Sequence, residues 1–91
     1  MTSRGIKILS SLKQSKRGRT GKEITRLLTA FGFEVRKTKK YDWFTHPDYL
    51  ERLDLKYNLT RSSGELAIGW VVKAIKVVER LLELQKESSD G

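Results

Sequence analysis

Thr20-Gly21-Lys22-Glu23-Ile24-Thr25-Arg26-Leu27-Leu28-Thr29-Ala30-Phe31-Gly32-Phe33-Glu34-Val35-Arg36-Lys37-Thr38 is the stretch whose reading decides the fold. Its first part predicts a helix from Thr20 to Phe31. Ile24, Leu27, Leu28 and Phe31 recur at i, i+3, i+4 and i+7, which puts them in one apolar stripe. Thr20 and Glu23 stand at the spacing of a capping box, in which each side chain satisfies the other's backbone amide. Gly32 can take the left-handed conformation that ends a helix. After it, Phe33-Glu34-Val35-Arg36 alternates apolar and polar residues, the period of a half-buried strand. The period changes from helix to strand across one glycine.

Downstream, Lys39-Lys40 predicts a tight turn, although it lacks the glycine or asparagine that primed hairpin turns favour. Tyr41 to His46 is aromatic-rich and reads as the returning strand, closed by Pro47. Leu53 to Leu59 alternates over seven residues and predicts a third strand. The connections are short, so the three strands form an antiparallel meander. Ser62-Ser63-Gly64-Glu65 supplies a second capping box, opening a long helix from about Leu66 to Leu84. One stripe of that helix holds Ile68, Val71, Val72, Ile75, Val78 and Leu82. An adjacent stripe holds Ala67, Trp70, Ala74, Val77, Leu81 and Leu84. A helix apolar over about two-thirds of its circumference needs more cover than a sheet supplies. Upstream, Ile6, Ile8, Leu9 and Leu12 put an apolar face on a short helix, about Arg4 to Gln14, which can provide it. The competing cover is a second copy of the chain or a partner protein.

The expected class is therefore α+β, with both long helices on one sheet face and the other face open. The expected division is a basic N-terminal helix and linker over 1–19, a folded domain over 20–86 and a disordered tail over 87–91. Ser15 to Arg19 is the linker.

The 91 residues carry a net charge of +8, unevenly placed. Residues 1–40 hold twelve Lys or Arg against Glu23 and Glu34, whereas residues 41–91 hold seven basic and nine acidic groups. Such a concentration is the footprint of a polyanion partner, and nucleic acid is favoured over a solubilising basic tail. There is no cysteine and one histidine, so disulfides, thiolate metal sites and ordinary histidine zinc sites are not expected, and no cofactor is implied. No apolar run approaches the ~20 residues of a membrane span, and the N-terminus lacks a signal-peptide pattern, so the expected location is the cytoplasm.

Arg36, Lys37, Lys39 and Lys40 make the densest cationic site in the folded part, with Arg17 and Arg19 as a rival on the linker. On the second strand, Tyr41, Trp43 and Thr45 share one side and Asp42, Phe44 and His46 the other. A tryptophan in so small a chain reads as core. That facing exposes Phe44 for stacking on an unpaired base; the opposite facing buries it. His46 is the one side chain whose type suits acid–base chemistry near neutral pH, but a histidine before proline also serves simply as part of a turn.

Gly21 to Val35, followed by Thr38 to Pro47, resembles the HicA-like family of small toxins from bacterial toxin–antitoxin pairs. The carrying pieces are Leu27-Leu28-Thr29-Ala30-Phe31-Gly32-Phe33-Glu34 and Phe44-Thr45-His46-Pro47, with Gly64-Glu65-Leu66-Ala67 and Ile8-Leu9-Ser10-Ser11-Leu12 as further matches. The resemblance covers nearly the whole chain in short motifs. It implies an α-β-β-β-α fold like that of double-stranded-RNA-binding domains, here with an additional short N-terminal helix. It also implies RNA binding, mRNA cleavage by a histidine, and a HicB-like antitoxin as partner. The family's signature, Gly-Ser-His-His or a variant with one histidine, falls on Lys39, Lys40, Tyr41 and Asp42, so its glycine, serine and both histidines are absent. The expectation is an RNA-binding protein of weak or no catalytic activity, contacting RNA through Arg17, Arg19, Arg36, Lys37, Lys39, Lys40, Tyr41 and Phe44. The alternatives are an active ribonuclease using His46, or an interaction module acting through the long C-terminal helix, homodimerisation included.

Overall fold

The computed structural model describes residues 3–60 and 64–90, with side chains described from residue 4 to residue 87 outside that gap. Three α-helices and a three-stranded antiparallel sheet account for most of the described residues: α1 (Ser3–Gln14), α2 (Gly21–Ala30), β1 (Glu34–Lys37), β2 (Tyr41–Thr45), β3 (Tyr57–Thr60) and α3 (Ile68–Asp90). The sheet order is β1-β2-β3, the expected meander.

The stripe on α2 behaves as its spacing requires, with Ile24, Leu27 and Leu28 buried. Its ends are built differently from the expectation at the start and as expected at the finish. Thr20 is extended at the N-cap, but its side chain makes no capping hydrogen bond, and the Glu23 carboxylate turns to Arg19 at 3.3 Å. At the C-terminus Gly32 takes φ +92°, the Gly32 amide donates to Thr29 O and the Phe33 amide to Leu28 O, both at 3.1 Å. That bond pair is the Schellman motif, which satisfies carbonyls left orphaned by the last turn. The second capping box, at Ser62 and Ser63, lies outside the described residues.

The strand expected over Leu53 to Leu59 is shorter. Leu53–Leu55 winds into a 3-10 turn, and only Tyr57–Thr60 pairs with β2. Two arginines, one near in sequence and one far, hold Asp54 here: Arg52 grips its carboxylate with two hydrogen bonds, at 3.0 and 2.8 Å, and Arg80 of α3 adds a third at 3.0 Å. The turn fastens Asp54 toward α3 where the extended run ends, and Leu53 is left 79% exposed while Leu55 is buried.

α3 begins at Ile68, two residues later than expected, and the polar segment after Leu84 continues as helix through Asp90. Its buried arc is Val71, Ala74, Ile75, Val77, Val78 and Leu81, which draws on both apolar stripes. α1 packs on α2 and α3, burying Leu9 and Leu12, and Lys13 pairs with Glu79 of α3 at 2.8 Å. Cover for the second stripe thus comes from within the chain. Two buried leucines contribute about 1.5–3 kcal/mol each by removal from water.

α1 is joined to the rest by more than a loose linker. The Arg19 side chain donates to Ser15 O at 2.8 Å and to Ser11 O at 2.9 Å, while the Leu66 amide donates to Arg19 O at 2.7 Å. No helix among the described residues is long and apolar enough to cross a membrane.

Candidate nucleic-acid interface

The register of the hairpin decides which side chains face outward. Val35 pairs with Phe44 and Phe44 with Tyr57, so these three share the side covered by α2 and α3. Arg36 pairs with Trp43 and Trp43 with Asn58, which places these on the open side, beside the facing pair Tyr41 and Thr60. Trp43 is 44% exposed and Tyr41 36% exposed, whereas Phe44 is fully buried. The expectation of a core Trp43 and a base-stacking Phe44 is therefore reversed. Phe44 packs between neighbours on both sides, its ring 5.9 Å from that of Tyr57.

A signal for this was present in the sequence. A two-residue turn at Lys39-Lys40 pairs Val35 with Phe44 and Arg36 with Trp43 by counting outward from the tip. An apolar–apolar pair on one face and a cation–tryptophan pair on the other then settle the facing.

The turn itself departs from the primed types. No described residue other than glycine has positive φ. Thr38 supplies the closure instead: its amide and its hydroxyl both donate to Tyr41 O at 2.8 Å, and its hydroxyl accepts from the Tyr41 amide at 3.1 Å. The hydroxyl stands in for a backbone partner, so Lys39 and Lys40 can remain exposed at a fixed tip.

On the open face Tyr41 and Trp43 meet edge to face, with ring centroids 6.1 Å apart. Such a pair keeps an aromatic surface in water while each ring steadies the other. Arg36 on β1 and the polar Asn58 and Thr60 share this face, and the exposed tip lysines Lys39 and Lys40 immediately precede Tyr41 in the chain. Lys37 lies on the opposite pleat, across from Asp42, and is exposed near the tip. Arg36, Lys37, Lys39 and Lys40 make no ion pair among the described residues. Aromatic rings bracketed by unpaired cations can hold a base by stacking and its phosphates by charge.

The rival basic segment divides. Arg17 is exposed in the turn after α1. Arg19 is not available in the way expected, because its guanidinium is committed to Ser11, Ser15 and Glu23. Its role is to hold the α1–α2 connection.

His46 does not reach the open face. It is 4% exposed and shares the closed side with Phe44. Nδ1 accepts from the Asp48 amide at 3.2 Å, and Nε2 lies 3.2 Å from Phe31 O, to which it donates in the neutral tautomer that fits both bonds. Phe33 packs edge-on against the ring at 5.2 Å, and Tyr49 meets it at a tilt with centroids 5.4 Å apart. The imidazole thus ties the C-terminus of α2 to the 3-10 turn Pro47–Tyr49, and neither nitrogen is left for a substrate proton. Among the described residues no cluster of His, Asp or Glu side chains is placed to hold a metal ion. Comparison with protein-family models, curated proteins and solved structures returns no match.

Proposed function

We propose that the chain is an RNA-binding protein of HicA-like type, with a fold in the manner of double-stranded-RNA-binding domains and with weak or no nuclease activity. The observation that carries the reading is the open sheet face, where Tyr41 and Trp43 lie exposed beside Arg36, Lys39 and Lys40. An unpaired base stacks on Trp43, and the flanking phosphates meet the hairpin cations. Weak catalysis follows from two features: the family's histidine positions hold Tyr41 and Asp42, and both nitrogens of His46 are engaged. As part of a toxin–antitoxin pair, the protein would have a HicB-like partner.

The test is titration of the purified chain with a short single-stranded RNA over a range of salt. Affinity falls steeply with salt as each neutralised phosphate releases counterions. The same RNA remains uncut on long incubation. A salt-insensitive or undetectable interaction refutes the binding reading, and cleavage abolished by His46→Ala refutes the inactive one.

A further inference from the structure

Along the seam between α1 and α2 runs an open groove that the sheet-face interface does not use. Its two parts have volumes of about 320 and 370 Å³. Lys7, Arg19, Glu23 and Arg26 border the first part; Arg4 and Arg26 border the second. Glu23, the one acid among them, is already paired with Arg19. Arg4, Lys7 and Arg26 are exposed and make no ion pair among the described residues. Arg4 and Lys7 stand one helical turn apart on α1, so with Arg26 across the seam they make a row of free cations. α2 packs against both α1 and β1, so the seam belongs to the helical layer, whereas Tyr41 and Trp43 stand on the sheet face that the helices do not cover.

We propose that the α1–α2 seam is a second polyanion site, taking the phosphates of another stretch of RNA, so that one protein molecule bridges two strands. The inference rests on the reading of RNA as the ligand. A row of unpaired cations along an open groove suits a polymer whose charge repeats along its length, and guanidinium forks match phosphate oxygens in pairs. The groove is less suited to an acidic amphipathic peptide, which needs a row of apolar anchor pockets. Of its aliphatic lining, Leu12 is fully buried and Ile8 is already partly packed into the core.

The experiment mixes two short RNAs, one carrying a fluorescent donor and one an acceptor, with the intact chain at low salt. Energy transfer should rise when RNA exceeds protein and decline when protein is in large excess, as each strand acquires its own molecule. Lys7→Glu with Arg26→Glu should reduce the transfer to background while one RNA still binds through the sheet face. A charge-matched control, Lys73→Glu with Lys76→Glu on the exposed side of α3, should retain it. Transfer that survives the seam variant, or falls equally in the control, overturns the bridging site. So does one-to-one binding without transfer, which leaves the sheet-face reading standing; absence of any RNA binding removes that reading too. Displacement of the seam-bound strand by polyglutamate at lower concentration than by RNA overturns the choice of ligand.

Discussion

At Gly32 the backbone takes φ +92°, and a β-carbon there would lie 3.1 Å from His46 Nε2. Conformational strain and a close approach to a packed ring act together, so Gly32→Ala should lower unfolding stability by about 1–3 kcal/mol. Urea denaturation measures it, and a neutral result would show that the His46 ring gives way freely. His46→Ala should also destabilise, by roughly 1–3 kcal/mol, because it strands the buried Phe31 O and removes the acceptor of the part-buried Asp48 amide. It should leave RNA affinity unchanged in the folded protein. The adjacent pair Trp43 and Phe44 separates binding from stability more sharply. Trp43→Ala should weaken RNA binding by about 1–3 kcal/mol through lost stacking. Phe44→Ala, from a fully buried position, should instead cost about 3–5 kcal/mol of stability. Melting curves and RNA titrations on the two variants check the assignment, and interchange of the two phenotypes would mean that the strand faces the other way.

At the scale of elements, the hairpin and the β3 approach carry separate tasks. The tip presents its lysines because the Thr38 hydroxyl closes the turn without a glycine. Lys39→Gln and Lys40→Gln should each reduce the slope of log affinity against log salt by about 1, with little change in stability. An unchanged slope would place the lysines outside the contact. The 3-10 turn before β3 is fastened to α3 through Asp54. Hydrogen bonds from Arg52 and then Arg80 hold its carboxyl well below the usual carboxylate range. A depressed native pKa means that the contribution is present above the unfolded carboxyl's value and is lost as pH falls toward the depressed one. The stability difference between the wild type and Asp54→Asn should therefore be largest near neutral pH and shrink in strong acid. A difference independent of pH would remove Asp54 from the account.

For the molecule as a whole, α1 is the element that makes α3 sufficient. Its Leu9 and Leu12 cover the side of the helix bundle that the sheet cannot reach. Leu12→Ala should cost about 2–5 kcal/mol, measured by chemical denaturation. A loss below 1 kcal/mol would mean that α1 docks only loosely. The charge is distributed over the molecule in a related way. The open sheet face and the α1–α2 seam each keep cations free of ion pairs, while Lys13 and Arg80 pair with carboxylates of other elements and Arg19 and Arg52 with carboxylates close by in sequence.

Periodicity alone determined α2, the glycine stop after it, the hairpin, and the need for a second cover on α3. These are local signals: one side chain every 3.6 or every 2 residues, and a conformation that glycine takes most readily. Tertiary structure decided what lies between two nearly equal local readings. Tyr41 to His46 carries an aromatic residue on each face, so only its pairing with Val35 and Tyr57 buries Phe44 and leaves Trp43 outside. Leu53 to Leu59 alternates like one strand, yet Asp54 is drawn away by Arg80 from 26 residues further along the chain. His46 looks like a free functional group until the Phe31 carbonyl, 15 residues back on another element, claims it. Local pattern sets which side chains can be buried, and long-range partners choose which of them are.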